Sequence, residues 1–246
     1  SDVCSSDLNM DTFRTKPILT ILSGPAASVA GALLYLKVSN GIFIEVGGTS
    51  TNICIIKNGK PEIRYVTINE HPTCIRSMDV RILGVAGGSM IKLRDNRVWK
   101  VGPRSAHIAG LRYSCFAEPE VLKRGKIILV RPKQSDSEPY VAIECENETF
   151  AITNTCAANA LGLIDKTDYS YANQTSAKIA MELLGRQAGV TGPEIAMSVI
   201  QTASFEITKT VSKILKEFKM DKNHTQIIGG GGGASVLVPF VAKQLG

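Results

Sequence analysis

The stretch Ile42-Phe43-Ile44-Glu45-Val46-Gly47-Gly48-Thr49-Ser50-Thr51-Asn52-Ile53-Cys54-Ile55-Ile56 sets two apolar, isoleucine-rich runs on either side of a Gly-Gly-Thr-Ser-Thr hinge. Continuous apolar runs of this length read as buried strands. Paired glycines let a backbone approach a ligand closely, and the hydroxyls beside them donate to oxyanions. A hairpin with an acid, Glu45, at its entry and Gly47-Gly48-Thr49 at its tip therefore reads as a phosphate clamp, completed by Ser50 and Thr51. The ligand it points to is a nucleotide.

Upstream of this hairpin, residues 17–22 read as a short apolar strand. Ser23 follows as a helix cap, Pro25 suits a first turn, and residues 26–37 form an Ala- and Leu-rich helix. Downstream, Asn58-Gly59 is a two-residue turn signal leading to a strand at 61–68. Asp79-Val80-Arg81 leads into a second glycine turn containing Gly87, Gly88 and Ser89. A hairpin turning at Asp95-Asn96 comes next, then a structured loop over 102–119 and strands at 126–130 and 140–145. From Asn154 the character is helical, with helices expected over 155–163, 175–184 and 193–218. In the last of these Ile195, Val199, Ile200, Ala203, Ile207, Val211, Ile214, Leu215 and Phe218 recur at helical spacing, as a core or partner-facing stripe. A strand at 225–228, five glycines and a closing helix from Ala234 end the chain. The expected class is an α/β core with an inserted loop region.

Composition narrows the classes further. The chain has 246 residues, 44% hydrophobic and 20% charged, which is a globular balance. Its net charge of +6 is scattered and aromatics are 6%, which argues against nucleic acid as a partner. Six cysteines with no CxxC pair fit a reducing cytosol, so a cytoplasmic location is expected, with neither disulfides nor zinc. His71, His107 and His224 lack metal-ligand spacing. No apolar run reaches the ~18 residues of a membrane helix. Ser1 to Leu8 has neither the basic region nor the apolar core of a signal peptide, and residues 1–15 are set aside as a non-native or disordered N-terminus.

The run Gly229 to Gly233 follows an apolar strand and opens a helix, where backbone amides favour anions. Val236 breaks the Rossmann spacing, and no GxxxxGK[ST] loop is present. A flexible strand-to-helix turn is the other reading. Two separated glycine clusters, each after an apolar strand, favour the nucleotide.

Ser23-Gly24-Pro25-Ala26, Glu45-Val46-Gly47-Gly48-Thr49-Ser50-Thr51, Asp79-Val80-Arg81, Gly87-Gly88-Ser89 and Val101-Gly102-Pro103-Arg104-Ser105-Ala106 stand in this order, before the glycine run. Together they resemble the hydantoinase A/5-oxoprolinase family, which includes acetone carboxylase subunits, from about residue 16 to the C-terminus. The resemblance implies one lobe of an actin-like, ribonuclease-H-like ATPase, with strand hairpins, an inserted loop region and C-terminal helices. It implies ATP and Mg²⁺ as cofactors, and hydrolysis of a small cyclic amide through a phosphorylated intermediate. Gly87, Gly88, Ser89, Gly230, Gly231, Gly232 and Gly233 would join the hairpin in holding the nucleotide. Glu45, Asp79, Arg104 and His107 would be the catalytic groups, with Glu45 and Asp79 also placed to hold the metal and Arg104 to meet a phosphate or carboxylate bidentately. For Arg104 a structural salt bridge is the alternative, for His107 a loop residue bonded to backbone, and for Asp79 a strand-edge cap.

Two departures from the family pattern stand out. Glu45 and Asn52 occupy positions where aspartates are usual, and no Gly-Gly-Thr precedes Lys16. The expectation is therefore a fragment, inactive alone, completed by a partner subunit or a missing lobe. A kinase-like phosphotransferase and a non-catalytic ATP-binding subunit remain the other readings.

Overall fold

The computed structural model describes residues 10–20, 22–68, 71–146 and 148–246. The leader Ser1 to Leu8, with Cys4, lies outside the described residues. The chain opens with α1 (Met10–Thr15), a 3-10 turn over Pro17–Thr20 and α2 (Ser23–Leu36). The strand expected at 17–22 is thus replaced by a 3-10 turn over Pro17–Thr20 and a turn residue at Leu22. Pro17 presets a helical φ at the first position, and the Thr20 hydroxyl donates back to the Pro17 carbonyl at 2.8 Å. Ser23 lies inside α2 instead of capping it. Leu22 holds the cap position in left-handed backbone, at φ 63°, without a side-chain cap.

The centre is the hairpin of β1 (Gly41–Val46) and β2 (Thr51–Lys57). Their antiparallel register sets Ile44 opposite Ile53, Glu45 opposite Asn52 and Val46 opposite Thr51. Asn58 and Gly59 both take positive φ, 51° and 71°, and turn the chain into β3 (Lys60–Pro61). A separate ribbon of β4 (Ile63–Ile68) and β5 (His71–Met78) follows, before β6 (Val80–Leu83) returns to pair with β2. Then come the hairpin β7 (Ser89–Arg94) and β8 (Arg97–Ser105), α3 (Ala106–Ala109), β9 (Arg112–Tyr113) and α4 (Pro119–Lys123). Residues 102–119, expected as a structured loop, thus carry elements too short to give a periodic signal. Next are β10 (Lys126–Val130), β11 (Tyr140–Glu144), β12 (Thr149–Ala151), α5 (Asn154–Ala160), α6 (Gln174–Ala188), α7 (Gly192–Glu217), β13 (Gln226–Gly230) and α8 (Ala234–Leu245).

The main sheet runs β13-β1-β2-β3, with β6 also beside β2, and β13 lies parallel to β1. Both of its faces are covered, which is why β1 and β2 read as unbroken apolar runs. Ile42, Ile44, Val46, Ile53 and Ile55 join the stripes of α7 and α8 in the larger core. Phe43, Cys54 and Ile56 meet Val29 and Ala32 of α2 on the other face. Each isoleucine buried in this way contributes on the order of 2 kcal/mol. The helix α7 starts at a capping box, Thr191 with Glu194, and its expected stripe is buried from Ile195 to Ile214, while Leu215 and the C-cap Phe218 are partly buried against the same core. Among the described residues no helix is long and apolar enough to cross a membrane.

Candidate functional site

Because β1 and β13 are parallel, the glycine segments that follow them emerge at the same edge of the sheet. Backbone hydrogen bonds then draw three glycine segments together. The Gly233 N–H donates to the Val46 carbonyl at 3.0 Å, Gly87 to Gly47 at 3.0 Å and Gly88 to Gly48 at 2.8 Å. The fit depends on missing side chains. A Cβ on Gly231, itself at φ +82°, would lie 2.5 Å from the Val46 oxygen, and one on Gly233 would lie 2.6 Å from Val46 Cγ1.

The hairpin tip is closed by Gly47 N–H donating to the Ser50 carbonyl at 3.1 Å. Its remaining amides, those of Gly48, Thr49 and Ser50, have no partner among the described residues. Three successive unpaired N–H groups on a tight turn, beside a threonine hydroxyl, form an anion-binding concavity. The Ser105 hydroxyl donates to Thr49 Oγ1 at 3.3 Å, which brings the Gly-Pro-Arg-Ser-Ala segment to the tip. From the far side, Thr155 donates its N–H and its hydroxyl to the Gly87 carbonyl, at 2.8 and 3.0 Å.

Next to this junction a crevice is lined by Asn154, Thr155, Gly232, Gly233 and Val236. Asn154 Nδ2 donates to the Ala86 carbonyl at 2.7 Å, which orients the amide. Asn154 Oδ1 is buried without a protein partner among the described residues. An unsatisfied acceptor of this kind costs about 1–3 kcal/mol until a donor meets it. The loop beyond α5 closes the crevice, with the Ser170 hydroxyl donating to the Gly232 carbonyl at 3.0 Å.

The expected site residues divide into groups. Gly47, Gly48, Thr49, Ser50, Gly87, Gly88, Gly231, Gly232 and Gly233 gather at the junction. Thr51 and Ser89 are close by but act as internal braces. The buried Thr51 hydroxyl donates to the Val85 carbonyl at 2.5 Å, and Ser89 Oγ accepts from Ala86 N–H at 2.8 Å. Gly230 turns the other way: a Cβ there would meet the Phe43 ring at 2.7 Å, on the α2 face. Gly232 is the open position, where a Cβ would meet nothing within 4 Å.

Glu45 also faces α2. Its carboxylate accepts from the Ser28 hydroxyl at 2.5 Å and from Asn52 Nδ2 at 3.0 Å. The two departures from the family pattern are thus coupled, since the amide supplies the donor that a second carboxylate would lack. Asp79 immediately precedes β6, at the opposite end of that strand from Leu83, which pairs with Thr51 at the tip. It is buried, bound by Arg81 through two hydrogen bonds of 2.8 and 2.9 Å and by Arg64 at 3.1 Å. With two guanidiniums on it, Asp79 does not fit a metal-ligand role, and it serves as an ion-pair anchor.

Arg104 is likewise engaged, by Asp136 through Nε and Nη2. That pairing holds the Asp136 carboxyl below the ordinary aspartate range. His107 is exposed on α3, whose N-cap is Ser105. Among the described residues no group of three or more His, Cys, Asp or Glu side chains is placed to hold a metal. Cys115 and Cys156 are buried in the core. Sequence reasoning passed over Asn154 and Thr155, and also Tyr113. A Cβ on Gly88 would lie 2.0 Å from the Tyr113 hydroxyl, so that ring reaches the junction.

Comparison with known proteins agrees with this architecture. The Hydantoinase/oxoprolinase family model matches residues 6–246, ten residues earlier than the boundary expected at 16. The caprolactamase subunit alpha of Pseudomonas jessenii is 24% identical over 237 residues, 95% of this chain and 30% of that protein. A chain in the crystal structure of the ATP-dependent caprolactamase from Pseudomonas jessenii superposes with a TM-score of 0.65 at 23% identity, over 91% of this chain and 29% of that one. A nucleotide-free acetone carboxylase structure gives a TM-score of 0.64 at 17% identity, over 91% and 29%. This chain therefore spans about 30% of the length of the curated relative it matches, shares a mixed α/β fold with both solved structures, and belongs to the hydantoinase/oxoprolinase family.

Proposed function

We propose that this chain forms an actin-like nucleotide-binding lobe of a cytoplasmic, ATP-dependent enzyme that opens small cyclic amides. The observation that carries the reading is the hairpin tip, where the free amides of Gly48, Thr49 and Ser50 and the Thr49 hydroxyl form a cradle for phosphate oxygens. Asn154 Oδ1, buried beside Gly232 and Gly233, offers an acceptor to a hydroxyl or amino group of the same ligand. An amide oxygen is a poor leaving group, and its phosphorylation makes it a good one. That is the use such a lobe has for ATP.

Mg²⁺ would neutralise the phosphates. Of the two expected ligands Glu45 keeps the freer carboxylate, with one hydrogen bond on each oxygen, but it faces α2 and so would reach an ion at the cradle only through water. Asp79 is left out of this role by its two arginines. Arg104 and His107 remain proposed substrate-side groups, with Arg104 acting from its pair with Asp136. The caprolactamase relative is named as a subunit, which supports a partner subunit here too.

One observation favours the non-catalytic reading. Glu45 is held by Ser28 and Asn52, and neither Asn52 nor a bound glutamate is a free base. Phosphate release decides between the two. In the full-length protein carrying this sequence, a hydantoin, 5-oxoproline or caprolactam should stimulate release of phosphate from ATP. Thr49→Ala and Gly232→Val should lower kcat/KM about tenfold or more, as expected for losing one charge-assisted hydrogen bond or filling the cleft. Cys74→Ser, at an exposed position on β5, should match the wild type. ATP binding without substrate-stimulated release would favour the non-catalytic subunit, and three equal effects would rule out a phosphate site at the tip.

A further inference from the structure

Tyr113, on β9, belongs to no expected site, yet its hydroxyl lies against two of the three glycine segments. A Cβ built on Gly88 would fall 2.0 Å from that oxygen and one on Gly48 would fall 3.7 Å from it. Gly88 N–H in turn donates to the Gly48 carbonyl, so the phenol stands at the crossing of the two segments. The need for glycine at 88 follows directly, since any side chain there would occupy the place of the hydroxyl. The ring is held from behind. It packs against the larger core and lies 5.9 Å from the Phe116 ring, centroid to centroid. β9 pairs in parallel with β12, setting Tyr113 beside Ala151.

The hydroxyl itself has no hydrogen-bond partner among the described residues. Nor is it among the fully buried unpartnered atoms, and the residue as a whole is half-buried. A rigidly mounted donor, aimed at a turn whose own amides are free, is a feature that packing alone leaves unexplained. We propose that the Tyr113 hydroxyl is a positioning donor that completes the anion cradle of Gly48, Thr49 and Ser50, giving a hydrogen bond to a phosphate oxygen of the bound nucleotide. Its chemistry suits a donor. Burial, with smaller contributions from Cys156 and Cys115, pushes the phenol up to about 12, so it keeps its proton throughout the neutral range.

The inference rests on the nucleotide reading of the tip, and the test separates the two. In the full-length protein, binding of ATP, inorganic tripolyphosphate and adenosine is measured by calorimetry for wild type and Tyr113→Phe. The phenylalanine keeps the ring and removes only the hydroxyl. ATP and tripolyphosphate should each bind about ten- to a hundred-fold more weakly, the loss expected for one hydrogen bond to a charged acceptor, with adenosine unchanged. The ratio between the two proteins should stay constant from about pH 6 to 9, because the phenol does not titrate there. Replacing Tyr113 by a difluorotyrosine supplies a second measurement that leaves the packing in place. Fluorination lowers a phenol while the burial around Tyr113 raises it, so the substituted ring should lose its proton at roughly pH 8–10, below the wild-type phenol, and bring a pH dependence of phosphate binding into that range. Unchanged tripolyphosphate affinity in Tyr113→Phe, or no new pH dependence with the fluorinated ring, overturns the role of Tyr113 and leaves the nucleotide reading standing. A wild type that binds neither ATP nor tripolyphosphate overturns both.

Discussion

Asp79 illustrates how much a single residue's reading depends on contacts that are distant in sequence. As an acid ahead of Val80 and Arg81 in a family-like motif, it reads as a metal ligand. In the fold its carboxylate is 2% exposed and divided between Arg81 and Arg64, and Arg81 reaches on to Glu217 at the end of α7 at 2.8 Å. The arrangement fastens β6 to the β4–β5 ribbon and to α7. Removing one partner of a buried pair leaves the others uncompensated, which costs on the order of 3 kcal/mol. Asp79→Asn should therefore lower the midpoint of urea unfolding markedly. A variant with wild-type stability but no phosphate release would return Asp79 to the site. Gly230 makes the same point by direction. Alternation along β13 sends its α-hydrogens toward Phe43, while Gly232, two residues on and past the strand, looks into open space. The sequence marks five glycines without saying which of them face a ligand.

At the scale of elements, the local signals were legible. Asn58-Gly59 and Asp95-Asn96 turn their hairpins with positive φ, and the period of Ile195 to Ile214 defines α7. Elements built from two to five residues, such as α3, β9 and α4, were not legible, because no periodicity develops over so short a run. Tyr113 was missed for that reason, and Thr155 because its partner Gly87 is 68 residues away.

The polar segment 133–138, the link between β10 and β11, is fastened to the β7–β8 hairpin. Asp136 takes Arg104, with Nη2 at 2.5 Å, and Glu138 takes Arg94 at 2.6 Å, while the Arg94 guanidinium lies 3.8 Å over the Trp99 ring. Hydrogen bonding from Arg104 lowers the Asp136 carboxyl, and hydrogen bonding from Arg94 lowers that of Glu138. A depressed carboxylate lends its stability above its unfolded value and loses it as pH falls through the lower, folded one. The link should thus stay fastened at neutral pH and come loose on acidification below the ordinary aspartate value of 3.8. In an NMR titration its amide signals should move with a midpoint below that value. In Asp136→Asn the transition near Arg104 should be absent. A midpoint at or above 3.8 would show that the pair does not hold the link.

At the scale of the whole molecule, the described surface carries apolar side chains that no described element covers. Leu34, Tyr35 and Leu36 of α2 are 74%, 83% and 57% exposed, and Ile63 and Tyr65 of β4 and Ile82 of β6 add to them. Exposed apolar residues grouped on one helix end suit a further polypeptide surface more than water. The relatives are more than three times as long as the matched region, so there is ample chain in such proteins to supply one. The chemistry makes the same demand. A single cradle of amides at Gly48 to Ser50 can hold one side of a triphosphate, but in-line transfer requires the attacking group and the metal to be fixed from the opposite side as well. The 246-residue chain alone should therefore bind ATP weakly, associate with itself as concentration rises, and release no phosphate in the presence of 5-oxoproline or a hydantoin. Leu34→Glu with Tyr35→Ser should shift it toward monomer in light scattering without restoring turnover. Monomeric chain with strong substrate-stimulated phosphate release would defeat this account. The second clamp would then have to come from the segment between β8 and α4, where Ser105 and Tyr113 already reach the hairpin tip, and Arg104 and His107 would be the first residues to mutate.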